Sequence, residues 1–206
     1  MYTVKKVSES EFKDFLDLPA RIHKKNEIMQ KRSDEEALLK GSHTLSKYFS
    51  FTAFICYRDG RAVARCAVTI YPDKDEAYLG FFDSENDADA AKCIVESAEN
   101  FARENGRKSL VGPVDASFWI SYRMKANHFD KERYFGEPYG AEYYPALWQS
   151  CGFEIAETYI SNIYKRLSPE DETDSRYQRA KRYFARNGYS VVSAKKKDWD
   201  RSIGEI

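Results

Sequence analysis

One stretch, Glu76 to Phe153, constrains the fold more than the rest of the chain. A hydrophobic strand, Glu76-Ala-Tyr-Leu-Gly-Phe-Phe-Asp83, runs into an acidic turn and then a long amphipathic segment. Ala91, Ile94, Val95, Ala98, Phe101 and Ala102 recur there at helical spacing, which predicts a helix over Asn86–Asn105. Ser84, with Asp87 three residues on, reads as its start, and Gly106 as its stop. A second apolar strand, Ser109–Val114, follows, and then a helix from about Glu142 to Cys151. Strand, helix, strand, helix is a parallel β-α-β unit with its next helix. Ligands of such sheets bind where neighbouring strand ends open a crevice.

Antiparallel strands precede that unit. Phe51–Tyr57 and Ala62–Tyr71 flank Arg58-Asp-Gly-Arg61, a hairpin signal, and Tyr2–Val7 reads as a first strand. Ser8 and Glu11 form a capping box ahead of Phe12, Phe15 and Leu16, and Pro19 predicts a helix that bends or ends near Leu18. Lys24–Arg32 reads as loop, and Ser33–Tyr48 as a helical region interrupted near Gly41-Ser42. A strand is predicted at Glu154–Lys165, an acidic linker at Leu167–Asp174, a basic helix at Ser175–Asn187 and a strand at Tyr189–Ala194. Tyr189–Asp200 matches Tyr2–Lys13 in position and type, so this segment either starts a second copy of the fold or completes the first sheet. The organisation expected is one domain over 1–167, with 168–206 as linker, basic helix and strand.

The chain has 206 residues, with 33 basic and 33 acidic side chains, so no overall field draws it to nucleic acid or to a membrane. Arg176, Arg179, Lys181, Arg182 and Arg186 line the basic helix, but beside an acidic linker they read as a solvated face. No apolar run approaches the ~20 residues of a membrane helix, and Met1-Tyr-Thr-Val-Lys-Lys has no apolar core of a signal peptide, so a cytoplasmic location is expected. Cys56, Cys66, Cys93 and Cys151 match no zinc spacing. The hairpin register puts Cys56 opposite Ala62 or Val63, short of Cys66, so reduced thiols are expected.

Several short motifs occur in a fixed order: Asp59-Gly60, Gly80-Phe81-Phe82-Asp83, Gly112-Pro113, Pro138-Tyr139, Tyr143-Tyr144 and Gly152-Phe153. Together with the order of elements from Tyr2 to Lys165, they resemble the GNAT (acyl-CoA N-acyltransferase) superfamily, in particular a poorly characterised GNAT-like branch. The resemblance implies an α/β fold of GNAT type, a mixed sheet with flanking helices. It implies acetyl-CoA or another acyl-CoA as cofactor and an amine or other small molecule as acceptor. It also makes Leu79, Gly80, Phe81 and Phe82 the cofactor-binding strand, whose backbone N–H groups orient a thioester carbonyl. A second copy of the chain is a further partner to expect.

Two positions depart from the superfamily pattern. Its pyrophosphate loop carries glycines at the start of the central helix, because bare N–H groups must approach an anion. Here Asp83-Ser-Glu-Asn-Asp-Ala-Asp89 has none, and its carboxylates read as helix caps rather than a metal site. Its proton-donating tyrosine lies four residues before the closing Gly-Phe, where this chain has Trp148, whose indole cannot serve as that acid. Tyr144, one turn earlier and in phase with Trp148, is the candidate catalytic group. Trp119, Tyr122, Arg123, His128, Tyr139 and Trp148 are the candidate lining of a substrate cleft, most of them in the long aromatic and basic connection 116–140. His23, His43 and His128 stand alone in sequence, with no nucleophile–base signature, and no metal is expected. The alternative is a non-catalytic ligand-binding or assembly module on the same fold.

Overall fold

The computed structural model describes residues 1–25, 27–131, 136–162, 175–190, 193, 195 and 197. They fall into two compact units, Met1–Ile155 and Ala156–Ile206. In the first unit, β1 (Tyr2–Lys6) leads through a 3-10 turn (Glu9–Glu11) into α1 (Phe12–Ile22) and α2 (Arg32–Leu39). Then come β2 (Ser50–Arg58), β3 (Arg61–Ile70), β4 (Glu76–Ser84), α3 (Ala88–Glu104), β5 (Ser109–Val111), β6 (Val114–Asp115), β7 (Ser121–Tyr122) and α4 (Tyr144–Ser150). The sheet runs in the order β1-β2-β3-β4-β5, antiparallel except for the parallel β4–β5 pair, and β6 and β7 form a separate hairpin.

Alternation along the central strands supplies both faces of this sheet. Phe54, Cys56, Cys66, Val68 and Leu79 face Ile94, Val95 and Ala98 of α3, while Ile55, Ala67 and Phe81 face Phe15, Leu18 and Leu38 of α1 and α2. The apolar stripe of α3 is buried, as its spacing predicts. Asp87, not Ser84, caps this helix: its side chain accepts from the Ala90 N–H, while Ser84 still belongs to β4.

α1 does not end near Leu18; it continues through Pro19 to Ile22. Proline at 19 removes the N–H that would bond the Phe15 carbonyl. Arg65, 3% exposed in the middle strand, donates to that carbonyl at 3.1 Å instead. The same guanidinium meets Glu35 at 2.6 Å and Asp83 at 2.7 Å, and it lies 4.6 Å from the Phe15 ring centroid. Gln30 completes the cluster, donating to Glu35 and to the Leu16 carbonyl.

Other sequence expectations are also corrected. A bulge between Cys56 and Tyr57 places Cys56 opposite Ala64, beyond the simple hairpin register. All four cysteines are free, two of them fully buried. Ser109–Val114 is two short strands parted by a cis Gly112–Pro113 bond. Residues 154–162 form no strand; Ile155 and Ile160 are 77% and 81% exposed, so β propensity there finds no ladder to join. Ile163 to Lys165 and the acidic linker's Leu167–Asp174 lie outside the described residues. In the second unit, α5 (Ser175–Arg186) forms as predicted, with Tyr183, Phe184 and Tyr189 in mutual contact. Tyr189 and Ser190 are not in a strand, and Val191, Val192 and Ala194 lie outside the described residues.

Replacing Arg65 with Met leaves the Glu35 and Asp83 carboxylates buried without their cation and the Phe15 carbonyl without a donor. The expected outcome is a loss of about 3–5 kcal/mol, read from the urea midpoint of the intact chain.

Candidate functional site

β4 does not run straight past β3. Arg65 pairs with Asp83 and Ala67 with Gly80, so Phe81 and Phe82 together face Cys66 and one extra residue bulges from β4. Phe81 takes φ +50°, a left-handed conformation that is strained for an aromatic residue. The bulge leaves its N–H out of the ladder, and that N–H donates to the Asp115 Oδ1 at 2.5 Å. This strain lies beside the point where β4 parts from β5.

β4 and β5 pair only over Glu76–Tyr78 and Ser109–Val111. Past that point the two strands do not leave an open slot. A side chain at Gly80 would collide with the Val114 carbonyl oxygen, and one at Gly112 would lie 2.5 Å from the Leu79 carbonyl oxygen and 2.7 Å from the Trp148 ring. Both positions therefore need glycine because backbone and ring press directly on them. Segment 112–115 and Trp148 thus fill the space beside Leu79–Phe81.

Behind the bulge lies a buried polar cluster. The His23 Nε2 lies 2.6 Å from Asp83 Oδ1, and the Tyr144 hydroxyl lies 3.2 Å from the same nitrogen. Tyr144 also accepts the Ser84 N–H, and Tyr143 donates to the Ser84 carbonyl. Burial by itself would raise the Asp83 carboxyl; Arg65 and then His23 outweigh it and hold it below its ordinary value. Burial and then the Asp83 charge push the Tyr144 hydroxyl far above the usual tyrosine range. Asp115 goes the other way from Asp83. Lost solvent is the main cause, Glu35 and Asp83 add to it, the Phe81 N–H opposes it, and the carboxyl is pushed up to about 6.

The start of α3 is closed by the chain's own charges. Asp87 caps the helix, bonds the Tyr2 hydroxyl and meets Arg58, while Glu85 bridges Arg58 and Arg61. Asp83 belongs to the buried cluster instead, so the acidic run is divided between that cluster and the Arg58-centred network at the start of α3.

The predicted site residues are only partly brought together. Phe82, Tyr144 and Trp148 meet edge to face, and Tyr139 packs against His23, which in turn packs against Tyr144. Tyr144 and Trp148 are buried rather than facing an open cleft. Tyr122 packs on Phe118 and under Arg123, Trp119 is 91% exposed, and His128 lies on the surface with φ +54°. His23, which stood alone in sequence, is the histidine with a carboxylate and a tyrosine beside it. Its partners lie 60 and 121 residues away, so spacing could not have found it. Glu35, Arg65 and Asp115 were missed for the same reason. Among the described residues no cluster of His, Cys, Asp or Glu could hold a metal ion, and no helix is long and apolar enough to cross a membrane.

No family model and no curated protein matches the sequence. Solved structures do. The aminoglycoside acetyltransferase AAC(6')-Iy, in complex with the bisubstrate analogue CoA-S-monomethyl-acetylneamine, is similar at 12% identity and a TM-score of 0.50, over 81% of this chain and 99% of that one. An aminoglycoside acetyltransferase from an uncultured soil metagenomic sample, in complex with sisomicin, is similar at 14% identity and 0.50, over 81% and 97%. A tandem GNAT protein from the clavulanic acid biosynthesis pathway gives 12% and 0.52, over 74% of this chain and 43% of that one. The chain has the fold of the GNAT acetyltransferases, a mixed sheet with flanking helices.

The Asp115 carboxyl is raised above its unfolded value near 3.8, so the folded chain binds more protons between about pH 4 and 6. The stability this gives is present at low pH and is lost as pH rises through about 6. Asp115→Asn keeps an acceptor oxygen without the charge. Its stability relative to the parent is expected to climb between pH 4 and 7, by about 1–3 kcal/mol, and then level off in urea melts.

Proposed function

We propose that this chain is an acyltransferase-type protein that takes acetyl-CoA or another acyl-CoA and passes the acyl group to a small-molecule amine. The observation that carries the reading is the bulge at Phe81. On a GNAT fold, it turns a backbone N–H out of the ladder and sets it against an oxygen acceptor 2.5 Å away, as a carbonyl oxygen would need. The residues fit an acyl carbonyl at that one point, once Asp115 yields it. They do not fit a pyrophosphate at the start of α3, where Asp87 takes the Ala90 N–H, Glu85 takes Arg58 and Arg61, and both carboxylates would repel an anion. Leu79 to Phe82 remain the proposed acyl-binding strand. Tyr144 is assigned to positioning Ser84 and Asp83, because its hydroxyl is committed to that buried cluster. Trp119, Tyr122, Arg123, His128 and Tyr139 are proposed to meet the acceptor.

The second reading, a non-catalytic ligand-binding or assembly module, is favoured by the close packing of Gly80 on Val114 and of Gly112 on Trp148. Calorimetric titration with acetyl-CoA, followed by thiol release in the presence of a panel of amines, separates the two. Micromolar binding with thiol release is expected on the first reading; no heat up to millimolar acetyl-CoA leaves the second.

We also propose that residues 1–167 fold as one domain and that 168–206 start a second GNAT-like unit. A chain ending at Lys165 is then expected to melt within about 0.5 kcal/mol of the intact protein. A truncated chain that fails to fold would make Tyr189–Ala194 a core strand of the first sheet.

A further inference from the structure

We infer that α5 carries a binding stripe for a single-stranded nucleic acid, in which Arg179, Arg182 and Arg186 take the phosphates and the Tyr183 ring takes a base. The stripe lies wholly within the second unit and stands apart from the acyltransferase reading.

The charge is uneven along the chain. Residues 175–197 hold eight basic side chains and no acidic one, in a chain with 33 of each. A net charge of zero therefore conceals a strongly basic segment, and the field close to that segment is set by its own charges. An acidic linker precedes α5 in sequence, so from sequence alone the helix reads as a solvated face. Within α5 itself no carboxylate stands three or four residues from any arginine. Among the described residues Arg179, Arg182 and Arg186 form no ion pair, whereas Arg58, Arg61 and Arg65 of the first unit are each matched by carboxylates.

The unmatched guanidiniums are also aligned. Arg179, Arg182, Tyr183 and Arg186 line one shallow surface groove. Their spacing is that of a single helix face, and from 179 to 186 it runs about 10 Å along the axis. A guanidinium offers a planar fork that meets phosphate oxygens two at a time. Three such forks in a row follow a chain of phosphates rather than one isolated ion.

The rings decide between polyanions. Tyr183 and Tyr189 are each 58% exposed, their centroids lie 6.2 Å apart, and Phe184 packs on both. Open rings beside guanidiniums are what unpaired bases stack on. An anionic bilayer asks instead for a continuous apolar face opposite the charge. The side of α5 away from the groove offers Tyr177, Ala180 and Phe184 with Lys181 among them, and the helix has no Leu, Ile, Val, Met or Trp. An acidic peptide would answer the charge and leave the rings unused.

The test is fluorescence anisotropy of a labelled oligouridylate titrated with the full chain, with a triple variant (Arg179→Gln, Arg182→Gln, Arg186→Gln) and with Tyr183→Ala. Glutamine has nearly the helix propensity of arginine, so the helix stays while the charge goes. Three phosphates neutralised on a single strand predict that log K falls against log salt with a slope of about −2. The triple variant is expected to bind at least about tenfold more weakly and to lose most of that slope. Tyr183→Ala is expected to bind about fivefold more weakly with the slope kept, because stacking releases no counterions. Absence of binding by the parent at about 50 mM salt overturns the inference, and so does parental binding by the triple variant. Parental binding by Tyr183→Ala overturns the assignment to an unpaired strand. Phosphatidylserine vesicles and polyglutamate are run as competitors. If either displaces the oligouridylate as well as its own unlabelled form does, the inference falls, to a bilayer in the first case and to an acidic peptide in the second.

Discussion

Arg65 sits in the middle strand of the sheet with 3% exposure, and its charge has to be met within a few ångströms. Glu35 from α2 and Asp83 from β4 meet it, and the Phe15 carbonyl from α1 takes a further N–H. One side chain therefore fixes two helices and two strands relative to one another. Pro19 is part of the same device, because it leaves a helical carbonyl open where the guanidinium arrives. A buried ion pair is weak evidence for stability, but it is demanding about geometry. Here it sets where Asp83 can lie, and through Asp83 the positions of His23, Tyr144 and the end of β4.

The bulge at Phe81 is the point where that rigid frame meets the end of the sheet at which β4 and β5 no longer pair. Asp83 is held by Arg65 on one side of it, and Gly80 is held against Val114 on the other. The extra residue has to be absorbed between them, and it is absorbed by turning Phe81 into the left-handed region. The N–H proposed to meet an acyl carbonyl is thereby a product of the core, not of a loop. Preorganisation of that kind is what acyl-transfer chemistry asks of a backbone donor.

Much of the architecture was legible because it rests on short-range rules. The period of α3, the Asp59-Gly60 turn and the alternation in β2 and β3 each report local physics, and the structure returns them with small changes of boundary. What was not legible depends on contacts between residues far apart in sequence. Pro19 reads as a bend or an end of the helix, and nothing local tells that Arg65 will take up the carbonyl it frees. The acidic run 83–89 reads as one helix-capping patch, yet only Asp87 caps, while Asp83 turns to Arg65 and Glu85 to Arg58 and Arg61. His23 gives no local sign of Asp83 or Tyr144, and the aromatic connection drew attention to His128 instead. Of the strand expected at 154–165, the described residues 154–162 form none, for the opposite reason: the local signal was sound, but no ladder pairs it.

The contact between Gly112 and Trp148 has a consequence for how sequences like this one change. With the indole ring in place, even a methyl group at 112 has nowhere to go. The Leu79 carbonyl oxygen lies nearer still to that methyl, so a smaller ring at 148 would not by itself let the glycine grow. Position 112 is closed twice over, once by a side chain that substitution can trim and once by a backbone that it cannot. Change at Trp148 therefore leaves the demand for glycine standing, and the sheet rather than the helix keeps it.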